Sequence, residues 1–286
     1  MLDLMAIVMA SIIWSLHPAL IFRFRKYVKP IIYTAIRAIA AMAFLLIIVP
    51  FNEVRLSELK PSIMVIVIVS AILGPGIGDA AYTKAIQLIG SSLAVVISYT
   101  YIFVAQSIAV VFLGETLSAF TVIGTVLAFT GVAIATFRGS TNSFKLHGIG
   151  YAVATSISWG IATSMIKIAL KQVDAFTLTI VRIAIIALFF LPLGLAIEGA
   201  PRRDSAKAIF ILAIVTGVLG WGIGMYLFIY SISAIGVSIT AIATALTPVL
   251  AHITTKLFAK EQLTKNNIIG ALMISVGIVI SAVRLY

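Results

Sequence analysis

Two arginines, Arg37 and Arg182, stand inside long apolar runs that carry almost no other charge. A cation at mid-membrane costs about 2.5–3.5 kcal/mol on insertion scales, so each needs a partner or a purpose. Either they bind an anion in a cavity or they brace a helix bundle by donating to backbone carbonyls. His17 lies three residues from Trp14 and is followed by Pro18. A histidine at a helix bend can hold a ligand or titrate, or it can simply bond to a neighbouring helix. Asp79 follows Gly74-Pro75-Gly76 and stands five residues from Lys84, a spacing unsuited to an ion pair along one helix. It reads as a binding or proton-coupling group, or as an interfacial acid reaching water.

Helical spacing also gathers aromatic and polar faces. Tyr99, Phe103 and Gln106 form one, Thr244, Thr247 and Pro248 another, and Trp221, Met225 and Phe228 a third. With Trp14, Tyr82 and Trp159 they suit an amphipathic or aromatic ligand, and plain helix packing is the alternative for each. Glu115 and Glu261 each precede an apolar run, where a carboxylate caps free N–H groups and complements the helix dipole. Metal and cofactor chemistry find no support. The chain has no cysteine, and His17, His147 and His252 lack metal-ligand spacing. Gly74-x-Gly76-x-Gly78 lies within an apolar run, not after a strand, so it is no dinucleotide fingerprint.

The elements that must position these residues follow from composition. The chain is 62% hydrophobic and 10% charged, with a mean hydropathy of +1.20; soluble domains carry roughly 25% charged residues. The net charge of +11 sits in short gaps between apolar runs. That is the pattern of membrane-flanking loops, not of a nucleic-acid surface. Breaks at charge, proline and glycine predict ten spans: 4–22, 31–50, 62–83, 92–113, 118–137, 148–170, 175–197, 208–230, 237–257 and 267–284. The runs are continuously apolar, so helices rather than barrel strands satisfy the backbone.

The sequence repeats itself. Ser11-Ile12-x-Trp14 matches Ser156-Ile157-x-Trp159, and Thr34 and Arg37 match Thr179 and Arg182. One residue further out of phase, Gly74, Gly76 and Gly78 match Gly220, Gly222 and Gly224. Gly90 and Ser92 match Gly236 and Ser238, and Glu115 and Leu117 match Glu261 and Leu263. Gly124 and Gly131 match Gly270 and Gly277, pairs that predict close contact between the last helices of the halves. This divides the chain into a five-helix repeat over 1–137, a connection over 138–147 and a five-helix repeat over 148–286. An odd number of spans makes the second repeat enter from the opposite side, an inverted repeat. The expected fold class is all-α membrane protein.

In the order of these features the chain resembles the EamA-type ten-helix transporters of the drug/metabolite transporter superfamily. The resemblance rests on Trp14 and Trp159, Arg37 and Arg182, Tyr82 and Tyr226, Pro248, and the segments Gly114-Glu115-Thr116-Leu117 and Lys260-Glu261-Gln262-Leu263. Two departures stand out: Ile102 occupies the place that pairs with Pro248, and His17 stands where a small or polar residue is expected. The resemblance implies a secondary transporter in the cell membrane, an exporter of amino acids or other small metabolites. Its cavity would lie between the repeats, lined by the first, third, fourth, sixth, eighth and ninth helices, with protons as a candidate coupling ion. A membrane-embedded enzyme for lipid-linked substrates would need acids, histidines or nucleophiles on an interfacial loop, and the loops are too short. A channel would need a filter sequence, and none is visible. Lys and Arg favour the odd-numbered loops, which by the positive-inside rule puts both termini outside, whereas the resemblance implies cytoplasmic termini.

Overall fold

A computed structural model describes residues 2–114, 118–136, 143–260 and 264–282, which form helices and short connections, with no strand among them. They form α1 (Leu2–Arg23), α2 (Pro30–Ile48), α3 (Pro61–Ile89), α4 (Ser91–Leu113), α5 (Ala119–Thr136), α6 (Ser143–Ala169) and α7 (Ala175–Ile197). Then follow α8 (206–235), α9 (237–259) and α10 (Lys265–Ala282). Among the described residues, seven helical runs are long and apolar enough to cross a membrane; the last, Arg203–Ala243, spans 41 residues and carries α8 into α9. α3 continues past the expected end at residue 83, so Lys84 lies within the helix rather than at its close. Glu115 and Glu261, the expected caps, lie outside the described residues, as do 137–142 of the expected connection.

The third and fourth helices of each half are joined by a single glycine. Gly90 has φ 84° and ψ 163°, and Gly236 has φ 83° and ψ 173°. Only glycine enters this region without strain, so one residue turns the chain and no loop is needed. α4 and α9 also break internally at matching places. Phe103 N–H bonds to the Thr100 carbonyl and Thr247 N–H to the Thr244 carbonyl, three-residue closures that tilt the axis at 99–100 and at 244–245.

α3 and α8 widen into π-helical turns over Ile72–Gly78 and Ala213–Gly224, around the Gly-x-Gly-x-Gly segments. The glycines let aromatic rings approach the backbone. A Cβ on Gly76 would meet the Phe190 ring at 2.5 Å, and one on Gly222 would meet Phe44 at 2.7 Å.

α2 and α7 lie side by side and antiparallel. The end of α7 meets the start of α2, where Glu198 Oε2 accepts from Ile31 N and Ile32 N at 2.9 Å each. At the other end, Arg55 N donates to Thr177 Oγ1 at 3.0 Å. α5 and α10 pack along their length, with Gly131 set against the Gly270 carbonyl. α1 packs on α8 and α9, and α6 packs on α3 and α4. Each half therefore inserts its first helix into the other.

Candidate functional site

At the crossing of α1, α3, α6 and α8, with α2, α4 and α7 behind them, lies a cavity of about 690 Å³ including its mouth. Trp14 and His17 reach it from α1, and Trp159, Ala162, Thr163 and Ile166 from α6. Gly74, Pro75, Asp79 and Tyr82 line it from α3, and Trp221, Met225 and Phe228 from α8. Tyr99 and Tyr101 come from α4, Arg37 from α2 and Arg182 from α7.

The walls are aromatic and tilted ring on ring. Trp159 stands edge-on to Tyr82, Tyr99 and Tyr101 at centroid separations of 5.0, 5.8 and 5.8 Å. Trp14 faces Phe228 at 5.3 Å, and His17 faces Tyr82 at 5.6 Å. Two glycines admit the indoles: a Cβ on Gly78 would lie 2.7 Å from the Trp159 ring, and one on Gly224 would lie 2.8 Å from the Trp14 ring.

The two arginines have different surroundings. Both are 2% exposed. Arg37 Nη1 donates to Asp79 Oδ2 at 2.6 Å, and its Nε and Nη2 donate to the Thr216 carbonyl at 3.4 and 3.3 Å. Its guanidinium also lies 4.0 Å over the Trp221 ring. Asp79 Oδ1 accepts the Trp159 indole N–H at 2.8 Å. Asp79 is therefore neither a free binding acid nor interfacial: it is buried, and both of its oxygens are engaged. Arg182 repeats only the carbonyl contact, donating from Nη2 to the Ser70 carbonyl at 3.1 Å. Its Nε and Nη1 are buried without a protein partner. The position matching Asp79 in the second half is Met225.

Three expected cavity residues are not on the wall. Thr244 Oγ1 is bonded to Tyr101 O–H at 2.7 Å, and Thr247 Oγ1 donates to the Ser11 carbonyl at 3.4 Å. Gln106 is buried within α4, away from the cavity. The reason is the break at 99–100. A continuous helix would put Gln106 on the face of Tyr99, but the tilt turns that face away and brings Tyr101 to the wall instead. His252 is also buried off the cavity, its Nδ1 at 2.7 Å from the Pro248 carbonyl. Sequence reasoning misses Thr163 and Ile166, although they follow Trp159 at four and seven residues, the signature of one helix face.

Comparison with known proteins agrees with this architecture. The EamA-like transporter family is matched twice, over residues 1–137 and 146–283. The uncharacterized transporter YvbV of Bacillus subtilis (strain 168) is 23% identical over 274 residues, covering 95% of this chain and 87% of that protein. The uncharacterized transporter YoaV of the same organism is 24% identical over 254 residues, covering 88% and 86%. A crystal structure with 17% identity superposes with a TM-score of 0.74, covering 98% of this chain and 96% of that one, a likeness of fold. With two family matches spanning nearly its whole length, the chain belongs to the EamA-like transporter family and is a multi-pass integral membrane transporter.

Proposed function

We propose that the chain is a secondary transporter that exports small amphipathic metabolites, amino acids among them, from the cell across its plasma membrane. Transport would run by alternating access through the cavity, with 1–137 and 148–286 as the two inverted repeats that rock about it. The observation that carries this reading is the cavity itself. Its wall is shared by both halves, and matching elements of each half face it: α1 and α6, α2 and α7, α3 and α8. Relative motion of the halves would open such a cavity to one side and then the other. The aromatic wall with a few polar groups suits a cargo with an apolar body and a polar end. Protons are the proposed coupling ion, with His17 as the group that carries them.

The test is a ligand-stabilisation screen of purified protein against amino acids, nucleosides and vitamins, followed by counterflow of the hits in proteoliposomes. Thr163→Trp, which fills the cavity, should abolish counterflow while the fold persists. Undiminished counterflow in that variant would show that cargo passes elsewhere.

A further inference from the structure

The two arginines occupy matching places in the two halves but only one has an internal counterion. Arg37 is neutralised by Asp79 and bonded through all three guanidinium nitrogens. Arg182 holds one carbonyl, and its Nε and Nη1 are buried on the cavity with no protein partner. The carboxylate that would neutralise it by symmetry is replaced by Met225, whose side chain also lines the cavity. Of the three charged residues on the wall, Arg37, Asp79 and Arg182, the first two cancel, leaving one net positive charge.

We infer that Arg182 is the anchor for an anionic carboxylate on the cargo, and that the cargo supplies the counterion which Asp79 supplies to Arg37. The inference deepens the transport reading above and rests on it. Nε and Nη1 lie on different edges of the guanidinium, so each offers one charge-assisted hydrogen bond to an anionic oxygen. A desolvated cation without an anion is costly, so an anionic end stabilises the loaded site more than a neutral one does. Two further buried polar atoms without a protein partner, His17 Nε2 and Tyr82 Oη, lie on the same wall, beside each other. They offer a second polar contact for a cargo whose apolar body lies against Trp14 and Trp159. The site thus selects an amphipathic carboxylate over its amine or alcohol counterpart.

The three tryptophans of the chain, Trp14, Trp159 and Trp221, all line this cavity, so intrinsic fluorescence reports on it directly. Purified protein in a neutral detergent is quenched with iodide, caesium and acrylamide, and protection is measured with 3-phenylpropionate, 3-phenylpropan-1-ol and 3-phenylpropylamine. In the wild type, iodide should quench more strongly than caesium, and 3-phenylpropionate should protect best. Arg182→Gln should weaken both the iodide effect and 3-phenylpropionate protection, the latter about tenfold, the weight of a charge-assisted hydrogen bond. Met225→Asp keeps Arg182 but gives it an internal counterion, and should do the same. Acrylamide quenching, which ignores charge, should stay unchanged in any variant that folds. Iodide quenching that survives in Met225→Asp, or equal protection by alcohol and carboxylate, would overturn the anion assignment and leave the cavity as binding place. If none of the three compounds altered quenching, the assignment and the cavity reading would both fall.

Discussion

The indole N–H of Trp159 donates to Asp79 Oδ1 at 2.8 Å, whereas its counterpart Trp14 donates to the Gly220 carbonyl at 2.8 Å. The duplicated tryptophan thus reaches a side chain in one half and the backbone in the other. That single acid breaks the symmetry of the cavity. It collects Arg37 from α2 and Trp159 from α6, tying the halves together across the wall.

Removing one member of the buried pair leaves an uncompensated charge, a loss of about 3–5 kcal/mol where no other group takes over. Asp79→Asn and Arg37→Gln should each lower the melting temperature in detergent by several degrees. The double variant should fall short of the sum of the two. Arg37→Lys should lower it more than Arg182→Lys, because Arg182 has one protein bond to lose. Additive losses in the double variant would refute the coupling.

Gly90→Ala and Gly236→Ala force a Cβ into a backbone region that is essentially glycine-only, at about 1–3 kcal/mol each. Both should destabilise, and Gly150→Ala is the control. Gly150 is helical and exposed, and a Cβ added there would meet nothing within 4 Å, so alanine should be neutral or slightly stabilising. Thermal unfolding of the three variants decides this, and equal behaviour would contradict it.

The antiparallel course of α2 and α7 predicts opposite membrane sides for matching loops. The chain has no cysteine, so single cysteines can be introduced without background. Lys26→Cys and Lys171→Cys, in the connections before α2 and before α7, should label with a membrane-impermeant maleimide from opposite sides of oriented vesicles. Labelling of both from one side would rule out inverted repeats and would also fix the orientation of the termini.

His17 is 8% exposed and is packed near the rings of Tyr33 and Tyr82, on a wall that also holds Arg37, Asp79 and Arg182. As the proposed coupling group it should make transport depend on pH. His17→Gln should flatten that profile in proteoliposomes. Asp79→Asn should lower the rate at every pH without changing the shape, because Asp79 is committed to Arg37 and Trp159. An unchanged profile in His17→Gln would exclude histidine as the coupling group.

Glu198 caps α2 from the far end of α7, and Pro30 opens α2 without a cap of its own. Glu198→Ala should therefore cost about 1 kcal/mol in thermal unfolding, the usual weight of a lost cap. A variant as stable as the wild type would show that water replaces the carboxylate there.

The repeat was legible in the sequence because its carriers are residues that few others can replace. Gly90 and Gly236 recur at a backbone angle that needs glycine, and Gly78 and Gly224 recur where an indole meets the helix. Continuous apolar runs likewise determined that the chain is a helical membrane protein, since a bilayer leaves the backbone no other way to bond. Those constraints are local, and residue type alone records them. Which polar groups face one another is not local. Asp79 and Arg37 stand on different helices, 42 residues apart, and no spacing along either one announces the pair. The wall position of Tyr101, and the loss of Gln106, Thr244 and Thr247 from it, depend on breaks at 99–100 and 244–245; Pro248, four residues past Thr244, marks the second, and no proline or glycine marks the first. Arg37 and Arg182 looked alike in the sequence because they share one local setting. Only the tertiary structure separated them, by bringing an acid to one and a methionine to the other's matching place, since charge pairing in a low-dielectric interior is decided by distance in space.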